Sequence, residues 1–176
     1  AKTPTPFNPI QFPGGTYSKT AGMTLPQEER KWEQLNGEYP SSSEVIHTFS
    51  DGSTIQHHPK MRNSWRVGKM MNNCWQTKGE PDDPYGDKST MSTMGTRAMA
   101  LHDPRDMPRI AFYLKQPSQF ESPGAPGYSA YIDQPLAQRN RQPFAFESDK
   151  LNDWAKQNNY LYDEHPEITR ERNEWG

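Results

Sequence analysis

The residues best suited to chemistry lie between Gly52 and Gly79. This stretch holds five cations, Lys60, Arg62, Arg66, Lys69 and Lys78, and no carboxylate. Trp65 and Trp75 lie among them. Guanidinium and ammonium groups neutralise phosphates, and indole faces stack on unpaired bases. Lys60, Arg62, Trp65, Arg66, Lys69 and Trp75 are therefore the candidate RNA-binding residues. The competing expectation is a solvated basic loop with both tryptophans in a local core.

Other chemistry finds little support. His47, His57, His58 and Cys74 are the conceivable metal ligands, but their spacing matches no closed zinc pattern. The single cysteine excludes an internal disulfide framework. The sequence carries no phosphate-binding Walker loop, no dinucleotide glycine fingerprint and no nucleophile elbow. Asp82-Asp83 sits in a Pro-rich loop and reads as solvated. The expectation is a non-catalytic protein with no cofactor, no metal and no small-molecule substrate.

The element that must position the cations is a hairpin. Val45-Ile46-His47-Thr48-Phe49 is rich in β-branched and aromatic residues, and Thr54-Ile55 follows Asp51-Gly52. An Asp-Gly pair between two such runs predicts a two-residue type I′ turn, which needs positive φ at both positions. That turn sets Phe49 opposite Thr54 and Thr48 opposite Ile55, and it puts His47 and His57 on opposite faces. Trp65-Arg66-Val67 reads as a third strand.

Composition bounds the rest. Hydrophobic residues make up 31% of the 176 and mean hydropathy is −1.13, so little apolar burial offsets the entropy of ordering the chain. The 17 prolines are spread along the sequence. Such a chain is expected to depend on partner surfaces, as a subunit of a large assembly does. Net charge is −2, so the protein as a whole is not a basic nucleic-acid binder. Charge is divided by region: residues 147–176 hold eight acids against four cations, and this tail suits a different partner from the basic stretch. No apolar run reaches the roughly 18–20 residues that span a bilayer. The chain opens on Ala1 rather than Met, which fits a targeting segment already removed.

The fold class expected is α+β and mostly irregular: a small β-hairpin module with short helices and long Pro-rich extended arms. Residues 1–23 read as an extended arm. Residues 24–37 hold a short helix from Leu25 to Leu35, with capping-box spacing at Thr24 and Gln27. Residues 44–78 form the basic hairpin module. Residues 79–147 read as a Pro-rich extended segment with a short helix, Ser89 to Leu101, from its Met91, Met94, Ala98, Leu101 spacing. The same segment holds a short buried strand at Ile110–Leu114, and then an extended run from Gln116 to Pro143. Residues 148–176 read as an acidic helical tail, with Ser148 capping a helix to Asn158 and Pro166 opening a last one.

The order Ser50-Asp51-Gly52-Ser53, Pro59-Lys60, Arg66-Val67, Asn72-Asn73 and Trp75 resembles the mitochondrial branch of ribosomal large-subunit protein family thirty-one. The zinc cysteines of bacterial members are absent, as in mitochondrial members. The resemblance implies a non-catalytic mitochondrial protein on the matrix side, near the central protuberance of the large subunit. It also implies contact with ribosomal RNA and neighbouring protein subunits. The rival expectation is a peripheral accessory subunit of a respiratory complex or ATP synthase, which the near-neutral charge favours.

Overall fold

The structure, a computed structural model, describes residues 16–17, 43–77, 96–116, 127–162 and 175. The expected helices at Leu25–Leu35 and after Pro166, and residues 78–95, lie outside them. The elements are β1 (Thr16–Tyr17), β2 (Glu44–Thr48), β3 (Thr54–His57), α1 (Met61–Met71), β4 (Arg97–His102), β5 (Pro108–Lys115), β6 (Ala130–Leu136), α2 (Ala145–Gln157) and β7 (Tyr160–Leu161). The fold is α+β. The strands form one sheet in chain order, β1 to β7. Every pairing is antiparallel except β6 with β7. A parallel pair needs a crossover, and α2 supplies it.

The two helices serve opposite faces of the sheet. Alternate residues of a strand face opposite ways. Ile55, Met99, Leu101, Ile110, Phe112 and Leu114 pack with Leu151 and Trp154 of α2. Ala98, Ala100 and Ala111 form the other face, under Val67 and Met71 of α1 and Trp75. Three alanines leave room for α1 to lie close, and large side chains fill the wider gap beneath α2.

The hairpin exists, but its turn is not type I′. The Gly52 N–H donates to Phe49 O at 3.0 Å, and the Phe49 N–H donates to Ser53 O at 2.8 Å. Only Gly52, at φ 88°, takes positive φ; Asp51 does not. This is a three-residue loop, a turn closed by a glycine bulge. Asp51 is instead used through its side chain, which accepts the N–H and hydroxyl of Ser53. The longer loop shifts the register by one, so Thr48 faces Thr54 and His47 faces Ile55. A bulge between Val45 and His47 then sets Glu44 opposite His57. His47 and His57 thus share a face, contrary to the expected register.

Three further expectations are corrected. Residues 65–67 lie in α1, not in a third strand. Pro59 ends β3, and the Lys60 N–H donates to Asn63 Oδ1 at 3.2 Å, which starts a helix there. Residues 97–101 form β4, not the end of a helix. Ala98 to His102 are all buried because β4 is paired on both edges and covered on both faces. A doubly covered strand loses apolar alternation, and its continuous run matched helical spacing by accident. Within Gln116–Pro143, residues 130–136 form β6 rather than an extended arm. The strand expected at Ile110–Leu114 is present and runs from Pro108 to Lys115.

The second helix starts at Ala145, three residues before the expected cap. Its first turn is closed by Glu147, whose Oε1 accepts the Phe144 N–H at 2.7 Å. Ser148 is buried inside the helix, and its hydroxyl lies 2.6 Å from that of Tyr162. Leu151, Trp154 and Ala155 form the apolar face, as their spacing predicts.

Candidate anion-binding groove

The basic stretch folds mainly as α1, whose residues include Arg62, Arg66 and Lys69 and no acid. Lys60 caps it. Arg62 is buried, and Lys60, Arg66 and Lys69 are half-buried. Trp65 is 2% exposed and Trp75 is 5% exposed. Neither indole face is open to a base in this packing. Trp75 stacks on Tyr113 with ring centroids 5.3 Å apart.

The Asn72-Asn73 pair explains how Trp75 gets there. Asn72 takes the left-handed conformation at φ 50° and stops α1. The Asn73 N–H reaches back to Gly68 O at 3.1 Å, and Asn73 Oδ1 accepts the Trp75 N–H at 3.0 Å. The motif is a helix stop that plants an indole on the sheet.

Beside the end of α1 lies a groove of about 340 Å³. Met70 and Met71 of α1 form one wall. Arg105, Met107, Pro108 and Arg109 come from the β4–β5 turn and the start of β5, and Gln138 and Arg141 from the segment before α2. Each of the three segments turns through left-handed residues: Asn72, Asp106, and Arg139 with Asn140. A left-handed arginine is strained by roughly 1 kcal/mol, and such strain persists only where surrounding structure fixes it. The Cys74 N–H donates to Asn140 Oδ1 at 3.0 Å, which ties the third segment to the first.

Two buried carboxylates aim the arginines. Asp103 Oδ2 accepts Arg109 Nε–H at 2.8 Å and lies 3.3 Å from Arg105 Nη2. Its Oδ1 accepts the N–H groups of Arg105 and Met107 at 2.8 and 3.1 Å. Burial would raise the Asp103 carboxyl, but the hydrogen bond from Arg109 and those from the backbone hold it below the ordinary value. Glu147 Oε1 lies 3.3 Å from Arg141 Nη1. Burial pushes Glu147 up, against the Phe144 N–H and Arg141. Arg141 also lies 3.7 Å above the Phe144 ring. The acids lie beneath, and Arg105 remains 67% exposed.

Behind the groove runs a buried polar chain. The Ser43 hydroxyl lies 2.9 Å from His58 Nδ1, and His58 Nε2 lies 3.1 Å from His102 Nε2. His102 Nδ1 lies 3.1 Å from Asp106 O and 3.2 Å from its carboxylate. Both Asp106 atoms are acceptors, so His102 Nδ1 carries a proton, and in a neutral ring its Nε2 accepts. His58 Nε2–H must then donate, and His58 Nδ1 accepts from Ser43. Two neutral rings satisfy the chain. The Ser43–His58 spacing suits a nucleophile and its base. The adjoining cavity of about 10 Å³ has room for one water and none for a substrate.

Among the described residues, no group of three or more metal-ligating side chains comes together. The arginines of the groove were not singled out by sequence, because all three lie in the 79–147 segment read as Pro-rich and extended, where no spacing links them. No family profile, curated protein or solved structure shows a significant match to the chain.

Proposed function

We propose that the protein is a non-catalytic subunit of a large assembly and contacts RNA through the cationic side formed by α1 and the arginine groove. The observation that carries this reading is the groove itself. Arg105, Arg109 and Arg141 converge on one concavity beside a helix that contains no acid. Fixed guanidinium groups suit phosphate oxygens, and buried carboxylates keep them directed. The assembly we propose is the mitochondrial ribosomal large subunit, on the resemblance carried by Ser50 to Trp75. Neighbouring subunits are the second class of partner. Among the described residues, no helix is long and apolar enough to cross a membrane.

One observation favours the rival, an accessory subunit of a respiratory complex or ATP synthase. Trp65, Trp75 and Arg62 are turned into the fold and give RNA nothing to stack on. Ultraviolet crosslinking of the native particle separates the two. Nucleotide adducts on residues 60–75 or 105–141, with release of the protein by nuclease, are expected. Peptide adducts alone, with the protein retained after nuclease, would replace the ribosomal reading by the respiratory one.

A further inference from the structure

The groove is divided chemically. Arg105, Arg109 and Arg141 bring charge to it. Met70 and Met107 bring thioethers, and Met107 is one of two exposed large hydrophobic side chains among the described residues. Methionine is polarizable and lies favourably against aromatic rings. A ligand that fits both halves carries an anion and a flat ring together. The volume lies at the small end of the range for ligand sites, so it suits one such unit and not a chain of them.

We infer that the groove seats a single nucleotide of single-stranded RNA, its phosphate on the arginines and its base against the methionines. This rests on the RNA-contact reading above and gives it a position and a strand preference. Base pairing buries the ring faces in a stack, so a duplex can offer the groove only its phosphates. An unpaired base can turn in. An acidic peptide matches the arginines but leaves the methionine wall facing water. Preorganisation supports the seat: Asp103 and Glu147 hold the guanidinium groups before a ligand arrives, which lowers the ordering cost of binding.

The test uses the full chain and three labelled probes: single-stranded octauridylate, an abasic ribose-phosphate octamer of equal charge, and an RNA duplex. Met107→Ser should weaken octauridylate about threefold to tenfold and leave the abasic octamer unchanged. Arg105→Gln with Arg141→Gln should lower the salt slope for both single strands by roughly 0.7 units, the share of one phosphate. Arg105→Gln alone, at an exposed position, should lower it by part of that amount if the pair of changes impairs folding. Duplex binding as tight as octauridylate, equal effects of Met107→Ser on both octamers, or an unchanged salt slope would each overturn the seat. Lys60→Gln with Lys69→Gln separates the two levels. RNA binding lost in that variant but intact in the groove variants would keep the RNA reading and remove the seat. A wild-type chain that ignores all three probes and binds polyglutamate would remove both.

Discussion

His58 and His102 stand Nε2 to Nε2 at 3.1 Å, both rings buried. One proton fits between them. A second would set two N–H groups against each other, so the chain from Ser43 to Asp106 does not close with both rings charged. His102 holds the backbone of Asp106, in the turn that carries Arg105 and Met107 to the groove. The histidine pair is thus part of the groove's foundation.

Acid should therefore destabilise the fold well above the carboxylate range. Burial lowers His58 well below 6.5, helped by His102, His57 and Arg66. Burial and then Arg97 lower His57 to about 4. The unfolded chain takes up these protons near pH 6.5, and the folded chain resists them. Stability is full above 6.5 and is lost as pH falls toward 4, by roughly 1–2 kcal/mol from His57 at pH 5, with His58 acting in the same direction. Urea midpoints at pH 7.5 and 5 measure this. His57→Gln should shrink the drop; an unchanged drop would show that the histidines do not drive it.

Gly52→Val should destabilise the protein by roughly 1–2 kcal/mol. The nearest atom to an added Cβ is Pro104 Cβ at 3.6 Å, ordinary contact, so the loss comes from forcing φ 88° on a β-branched residue. Gly52→Asn should recover most of it, since asparagine tolerates positive φ. Thermal melts of the two variants decide: equal losses would place the effect in sterics.

Asp103→Asn should cost about 3 kcal/mol, because it sets an amide N–H₂ against the Arg109 guanidinium in a buried place. Arg109→Met in the same chain should restore part of the loss. A double-mutant cycle by urea unfolding reads the coupling, and additive losses would mean that Asp103 acts only through its turn.

Glu147→Gln and Glu147→Ala separate the cap from the charge. Gln keeps an acceptor for the Phe144 N–H and should lose less than 1 kcal/mol, whereas Ala should lose about 1–2 kcal/mol. Amide exchange at Phe144 checks the cause: its protection should survive in Gln and vanish in Ala.

Local chemistry was legible in the sequence wherever neighbours in the chain decide it. Glycine at the Asp-Gly turn, the strand at 110–114 and the apolar face Leu151, Trp154, Ala155 follow from φ preferences and short-range spacing. The α+β class follows from the same signals. The basic stretch was also legible as a unit without acids, though not as a helix: Trp65-Arg66-Val67 has strand-forming residues, and only the Lys60–Asn63 start and the Asn72 stop settle it as α1.

The rest was decided by tertiary contact. β4 could not be read because its burial on both faces comes from α1 and α2, neither adjacent in sequence. The hairpin register turned on one extra loop residue, which reverses every side chain after it. The groove joins Met70, Arg105 and Arg141, three positions that no local pattern links. Ser43, His58, His102 and Asp106 make one hydrogen-bonded chain only because β3 lies beside β4. Spacing in sequence fixes which way a residue can turn, and only the folded sheet fixes what it meets there.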